Sequence, residues 1–297
     1  MLIGIRGPSQ AKLFSKLSFV ILTVTINKKA HIMIIKPPRS RRKLLLQGGL
    51  RTRGIYLLPN LFTSAALFAG FYAIVQAMNE RFEYAAVAIF IAMVLDGLDG
   101  RVARMTNTQS AFGAEYDSLS DMVSFGVAPA LILYVWALKP LGKLGWIAAF
   151  IYCACAALRL ARFNTKLDDA HQDKRYFQGL PSPAAAALLA GFVWVSYEYG
   201  VSGRDVFFGI LQWKWMAWGI TVFAGASMVS DLRFYSGKDI NLKESVPFFV
   251  VLGIMLAFVL ISYSPPEVLF LIMIVYALSG YALWIKSKLQ KPPKLDM

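Results

Sequence analysis

Apolar residues along this chain come in long blocks separated by short polar segments. Eight blocks have the make-up of a membrane-crossing helix, which needs about 17–25 mostly apolar residues. They cover residues 56–78, 83–98, 114–138, 143–163, 181–199, 215–231, 246–263 and 266–285. The sixth follows "FFGILQWKWMAW", a stretch suited to headgroup level, with Trp213 and Trp215 as anchors. "SYSPPE" parts the last two blocks, because paired prolines cannot continue a helix. No internal repeat and no soluble second domain is visible. The pattern predicts an all-α fold, a multi-span transmembrane helical bundle of about eight spans.

Composition agrees. The chain has 297 residues, 57% hydrophobic and 16% charged, against about 25% charged in soluble domains. The net charge of +14 would suit nucleic acid, but the basic residues sit in the short segments between apolar blocks. That distribution reads as membrane topology and no nucleic acid is expected. The segments holding Arg101 and Arg104, Arg159 to Arg175, Arg233 to Lys243 and Lys286 to Lys294 carry 14 lysines and arginines, against 5 in the alternate set. "KPPRSRRKLLLQGGLRTR" joins the majority side. Both termini are therefore expected in the cytoplasm.

Residues 1–53 read as a basic extension, disordered or lying on the membrane surface. "LSFVILTVTI" within it is too short to span and lacks a small-residue cleavage site. Residues 286–297 read as a basic cytoplasmic tail. Cys153 and Cys155 point to opposite sides of a helix, so they read as small packing residues. His171 and the acidic residues Asp168, Asp169 and Asp173 read as a solvated loop.

One segment breaks the apolar pattern. "DGLDGRVARMTNTQSAFGAEYDSLSD", from Asp96 to Asp121, carries four aspartates between two apolar blocks. On a helix Asp96, Asp99, Gly100, Ala103 and Arg104 share one face, and so do Gly113, Asp117 and Asp121. The residues between permit a tight turn, so the two faces can oppose each other and bring four carboxylates together at the membrane edge. Each costs about 2.5–3.5 kcal/mol near bilayer depth, and together they repel. Arg104 is one charge against four, so hard divalent cations are the natural completion, with open positions left for phosphate oxygens. Gly100 and Gly113, in register with the carboxylates, leave room for a ligand to approach the backbone.

These spacings resemble the signature of the CDP-alcohol phosphatidyltransferase family: Asp96-x2-Asp99-Gly100-x2-Ala103-Arg104-x8-Gly113-x3-Asp117-x3-Asp121. With eight fixed positions, a chance match is on the order of 10⁻⁸. The resemblance covers residues 54–235 well; residues 236–285 would be two additional transmembrane helices. It implies a helical membrane enzyme that attacks a CDP-linked lipid with an alcohol, releasing CMP. Asp96, Asp99, Asp117 and Asp121 would hold Mg²⁺ or Mn²⁺, two ions in all, with Asp121 also the catalytic base. Asn60, Thr63, Gly100, Arg104, Ser110 and Gly113 would line the CDP-lipid, and a homodimer is expected.

Further stretches, "LPNLFTSAALFAGFYAI", "CAALRLARFN" and "FQGLPSPAAA", resemble the branch of the family that uses serine as acceptor. CDP-diacylglycerol and L-serine are then the expected substrates, in contact with membrane lipids and a cytoplasmic site. Arg159, Arg162, Asn164 and Ser182 are candidate acceptor-binding residues, since a guanidinium suits a carboxylate. The same arginines suit the phosphate of glycerol 3-phosphate or inositol phosphate, or the membrane boundary. A different class, a cation-coupled transporter, would place its carboxylates nearer the bilayer midplane.

Overall fold

The computed structural model describes residues 39–166, 176–203, 205–207, 211–236 and 248–289. Most of the basic extension, the loop with His171, and the tail beyond residue 289 lie outside the described residues. Contacts divide the chain into Met1–Leu50 and Arg51–Met297, and the account below concerns the second unit.

Among the described residues, eight helices follow in the order of the hydrophobic blocks. They are α1 (Arg39–Met78), α2 (Phe82–Thr106), α3 (Ala111–Leu141), α4 (Lys143–Lys166), α5 (Ser182–Glu198), α6 (Trp213–Val229), α7 (Phe248–Tyr263) and α8 (Pro265–Leu289). Among the described residues, four stretches are long and apolar enough to cross a membrane: Leu58–Met78 of α1, α3, Lys143–Thr165 of α4, and α8. The last turns of α2 are charged, and α5 to α7 are shorter. Among the described residues, four short strands occupy the connections. β1 (Tyr176–Gln178) pairs antiparallel with β4 (Arg233–Tyr235), and β2 (Val206–Phe207) pairs antiparallel with β3 (Leu211–Gln212).

Small residues set how closely the helices approach. Ala66, Ala69, Ala73 and Ala77 form a buried stripe on α1, and Ala85, Ala88 and Ala92 do the same on α2. Without side-chain bulk the backbones come close, the packing mode available where lipid removes the hydrophobic drive between helices. The opposite face of α1 turns Phe68, Phe71 and Val75 outward, as lipid contact demands. α5 is buried nearly all round, with Ala185 to Ala190, Phe192 and Val193 enclosed. It forms the hub against α2, α3 and α8, while α4 packs along α6.

α3 is not uniform. Its α-helical start, Ala111–Asp121, passes into a π turn at Met122–Val127, directly after Asp121. Pro129 has no N–H to return to the Phe125 carbonyl. The fully buried Tyr152 hydroxyl of α4 donates to that carbonyl instead, at 2.9 Å. This bond both satisfies a backbone group that lipid cannot serve and ties α4 to α3.

Candidate active site

The turn between α2 and α3 opposes the two aspartate faces. Asn107 closes α2 in the left-handed conformation, φ 52°, and the N–H of Thr108 reaches back to the Ala103 carbonyl at 3.1 Å. Ser110 then opens α3 as its N-cap, its hydroxyl accepting from the N–H of Gly113 at 3.0 Å. The chain reverses in a few residues, and the charged end of α2 lies beside the start of α3.

Carboxylate oxygens of Asp96, Asp99 and Asp117 come within 4.8 Å of one another. Asp99 is buried and Asp96 and Asp117 half-buried. The Asp96 and Asp121 carboxyls stand within hydrogen-bonding reach of each other, as do those of Asp99 and Asp117. Asp121 meets the triad through Asp96, on the side where the Arg159 charge reaches both. Asp117 Oδ1 is buried without a hydrogen-bond partner among the described residues. A buried, unpartnered carboxylate oxygen facing two further carboxylates is costly unless a cation meets it. An oxygen-only donor set of this kind fits a hard divalent ion.

α1 supports the cluster. The buried Thr63 hydroxyl donates to Asp99 Oδ2 at 2.8 Å and contacts the Pro59 carbonyl at 3.2 Å. Below it, Ser120 donates to the Thr63 carbonyl at 3.2 Å and Ser124 to the Ala66 carbonyl at 3.1 Å. Gly70 makes this crossing possible: a Cβ there would lie 2.4–2.8 Å from Ser124 atoms. Ser64 and Tyr116 share a further hydroxyl contact at 2.9 Å. Sequence reading did not pick out Ser120 or Ser124, although their i, i+4 spacing on a face next to Asp117 and Asp121 was available as a signal.

Beside the triad lies a cavity of about 250 Å³. All six residues expected to line a CDP-lipid border it: Asn60, Thr63, Gly100, Arg104, Ser110 and Gly113. So do Asp99 and Asp117, and also Thr108 and Gln109, which sequence reading left out. A Cβ on Gly113 would come within 3.4 Å of Asn60 Oδ1 and 3.1 Å of Ser110 Oγ, whereas one on Gly100 would meet only the Arg104 guanidinium, at 3.7 Å. The two glycines thus differ. Gly113 leaves room for the Ser110 cap of its own helix, and Gly100 keeps the cavity wall open under Arg104.

The four acceptor candidates do not form one group. Arg159 donates to the hydroxyl of Ser182, which is fully buried. Arg162 pairs with Asp231 and also donates to Gln178 Oε1 at 3.2 Å and the Val229 carbonyl at 3.3 Å. Asn164 donates to Ser118 Oγ at 3.0 Å, on the residue after Asp117. Asp231 thus bonds Arg162 on α4, a partner 69 residues away that no sequence pattern announced.

A cavity with an amide, hydroxyls and one guanidinium thus lies beside a carboxylate triad. The sequence profile of the family described as CDP-alcohol phosphatidyltransferase matches residues 56–224. The chain belongs to that family. It is similar to the CDP-diacylglycerol–serine O-phosphatidyltransferase of Helicobacter pylori, 36% identical over 231 residues, 78% of this chain and 92% of the relative. The enzyme of the same name from Mycobacterium tuberculosis is 41% identical over 170 residues, 56% of each chain. That from Methanocaldococcus jannaschii is 34% identical over 201 residues, 67% of this chain and 83% of the relative. As a CDP-alcohol phosphatidyltransferase with four helices fit to cross a bilayer, the chain is an integral membrane protein.

Proposed function

We propose that this chain transfers the phosphatidyl group of CDP-diacylglycerol to the hydroxyl of L-serine, giving phosphatidylserine and CMP. The observation that carries the reading is the meeting of Asp96, Asp99 and Asp117, with Asp99 and Asp117 in the wall of the Asn60–Arg104–Ser110 cavity. The names of the relatives favour serine over glycerol 3-phosphate or inositol phosphate as acceptor. An edge cluster opening on a nucleotide-sized cavity supports an enzyme over an ion path.

The chain's residues divide the work. Asn60 offers an amide for the cytosine or ribose, and Arg104, exposed over Gly100, offers its guanidinium to the diphosphate. Asp96, Asp99 and Asp117 would hold Mg²⁺ or Mn²⁺, which when bound supplies positive charge against the diphosphate as CMP leaves. Asp121, flanking the triad beside Arg159, accepts the proton of the serine hydroxyl. Arg159, braced by Ser182, receives the serine carboxylate. Because the acyl chains remain in lipid, the reacting phosphorus must lie at the membrane edge, a position that suits the charged last turns of α2.

The eight helices all cross the bilayer in this reading, the shorter ones spanning roughly 24–26 Å. The site faces the cytoplasm with the majority of lysines and arginines, and the enzyme works as a homodimer. The function is tested by CMP release from purified enzyme given CDP-diacylglycerol, Mg²⁺ or Mn²⁺, and serine, glycerol 3-phosphate or inositol phosphate in turn. Release with serine alone is expected. Release with a phosphorylated alcohol instead would remove serine as the acceptor.

A further inference from the structure

Arg159 and Arg162 lie one turn apart on α4, and their surroundings differ. The Arg159 charge reaches Asp96 and Asp121, and its guanidinium meets the buried Ser182 at the start of α5. Arg162 points to another set of groups. It bonds the carboxylate of Asp231, the side-chain amide of Gln178 and the backbone carbonyl of Val229. These belong to β1, to the end of α6, and to the link between α6 and β4.

The same segments are clasped together by their backbones. β1 and β4 pair through Tyr176 with Tyr235 and Gln178 with Arg233. The N–H of Gly179 donates to the Leu232 carbonyl at 2.8 Å, and that of Leu180 to the Ser227 carbonyl at 2.9 Å. Gly179 has φ 77° and lies so close to the Met228 carbonyl that a Cβ would sit 2.2 Å from its oxygen. Ser182 follows three residues later. α8 holds the clasp from the other side: the Tyr276 hydroxyl donates to the Tyr235 carbonyl at 3.2 Å, and Gly280 seats the buried Phe234 ring. Asp231, β4 and α8 all lie beyond the residues that the family profile matches.

We infer that Arg162 is a positioning residue, stapling the end of α4 to the β1–β4 clasp so that Ser182 is held against Arg159, which alone of the two arginines meets the acceptor. This rests on the reading of the chain as a transferase with serine as acceptor. The magnitudes separate the two roles. The Arg162 side chain is 35% exposed and that of Asp231 83%, and an exposed pair contributes little, a factor of about 5 at most. With the bonds to Gln178 and Val229 added, losing the staple should cost about 3- to 10-fold in acceptor KM. An arginine that itself bound the acceptor carboxylate would cost about 10- to 150-fold.

The test is a double-mutant cycle on the full chain, read as acceptor KM, kcat and CDP-diacylglycerol KM. Arg162→Gln is expected to raise acceptor KM by about 3- to 10-fold and Asp231→Asn by about 2- to 5-fold, with smaller changes in the other two constants. The double variant should be no worse than Arg162→Gln, and Arg162→Lys should recover most of the loss. A loss of about 100-fold in Arg162→Gln, with Asp231→Asn unchanged or improved, would show Arg162 on the acceptor and overturn the inference. Silence in both single variants would overturn it as well. Were the wild-type enzyme to use a phosphorylated alcohol instead of serine, the acceptor reading would fall, and the same cycle in that alcohol would still decide the staple.

Discussion

Thr63→Val exchanges a hydroxyl for a methyl of nearly the same size, and so isolates one hydrogen bond. The Thr63 hydroxyl donates to Asp99 Oδ2 at 2.8 Å, and the residue is only 4% exposed, so the bond is shielded from bulk water. The Pro59 carbonyl, the other contact of that hydroxyl, lies one helical turn before Thr63 and keeps its backbone partner. The cost therefore falls on Asp99. A hydrogen bond to a charged group contributes about 1.5–3 kcal/mol, or about 10- to 150-fold in an equilibrium constant. Loss of an outer partner of a metal ligand typically costs about 10- to 100-fold in affinity or activity, which agrees. The Mn²⁺ concentration for half-maximal CMP release should thus rise about 10- to 100-fold in Thr63→Val. Turnover at saturating Mn²⁺ should fall much less, and Thr63→Ser should stay near wild type. A Thr63→Val enzyme with unchanged Mn²⁺ dependence would refute the reasoning that this hydroxyl orients a ligand.

Asp121→Asn should lose about 10²- to 10⁴-fold in kcat, the usual worth of a general base, while CDP-diacylglycerol binding measured by equilibrium dialysis changes far less. Near-normal turnover would place the base elsewhere. Gly70→Val drives a side chain into Ser124, so detergent-solubilised enzyme should lose about 1–3 kcal/mol of stability, seen as a lower thermal midpoint, with activity falling in parallel as α1 parts from α3. Tyr152→Phe leaves the Phe125 carbonyl without its donor and should cost about 1–3 kcal/mol in chemical denaturation; no change there would mean that the π turn satisfies the carbonyl by itself.

Much of this site was legible because helical periodicity acts over short distances. Asp96 with Asp99, and Asp117 with Asp121, needed only the 3.6-residue repeat, and the turn between them needed only length. The six cavity residues followed from the family signature on the same two helices and α1. The remainder depends on contacts between residues far apart in sequence. Thr63 and Asp99 are 36 residues apart, Ser124 and Ala66 are 58 apart, and Arg162 and Asp231 are 69 apart. No periodicity encodes such pairs. Two arginines at i, i+3 looked equivalent by spacing, and only the fold of the β1–β4 clasp tells them apart. The π turn after Asp121 likewise left no mark in the hydrophobic pattern, although Pro129 and the buried Tyr152 are its accompaniments.

The most direct test follows both products in one reaction. Purified enzyme, CDP-diacylglycerol, Mn²⁺ and labelled serine should give CMP and labelled lipid in equal amounts. Asp117→Ala, which removes one carboxylate of the triad and its unpartnered oxygen, should give neither product while remaining folded by thermal unfolding. CMP without labelled lipid, or full labelling by Asp117→Ala, would contradict the assignment of phosphatidyl transfer to this cluster of aspartates.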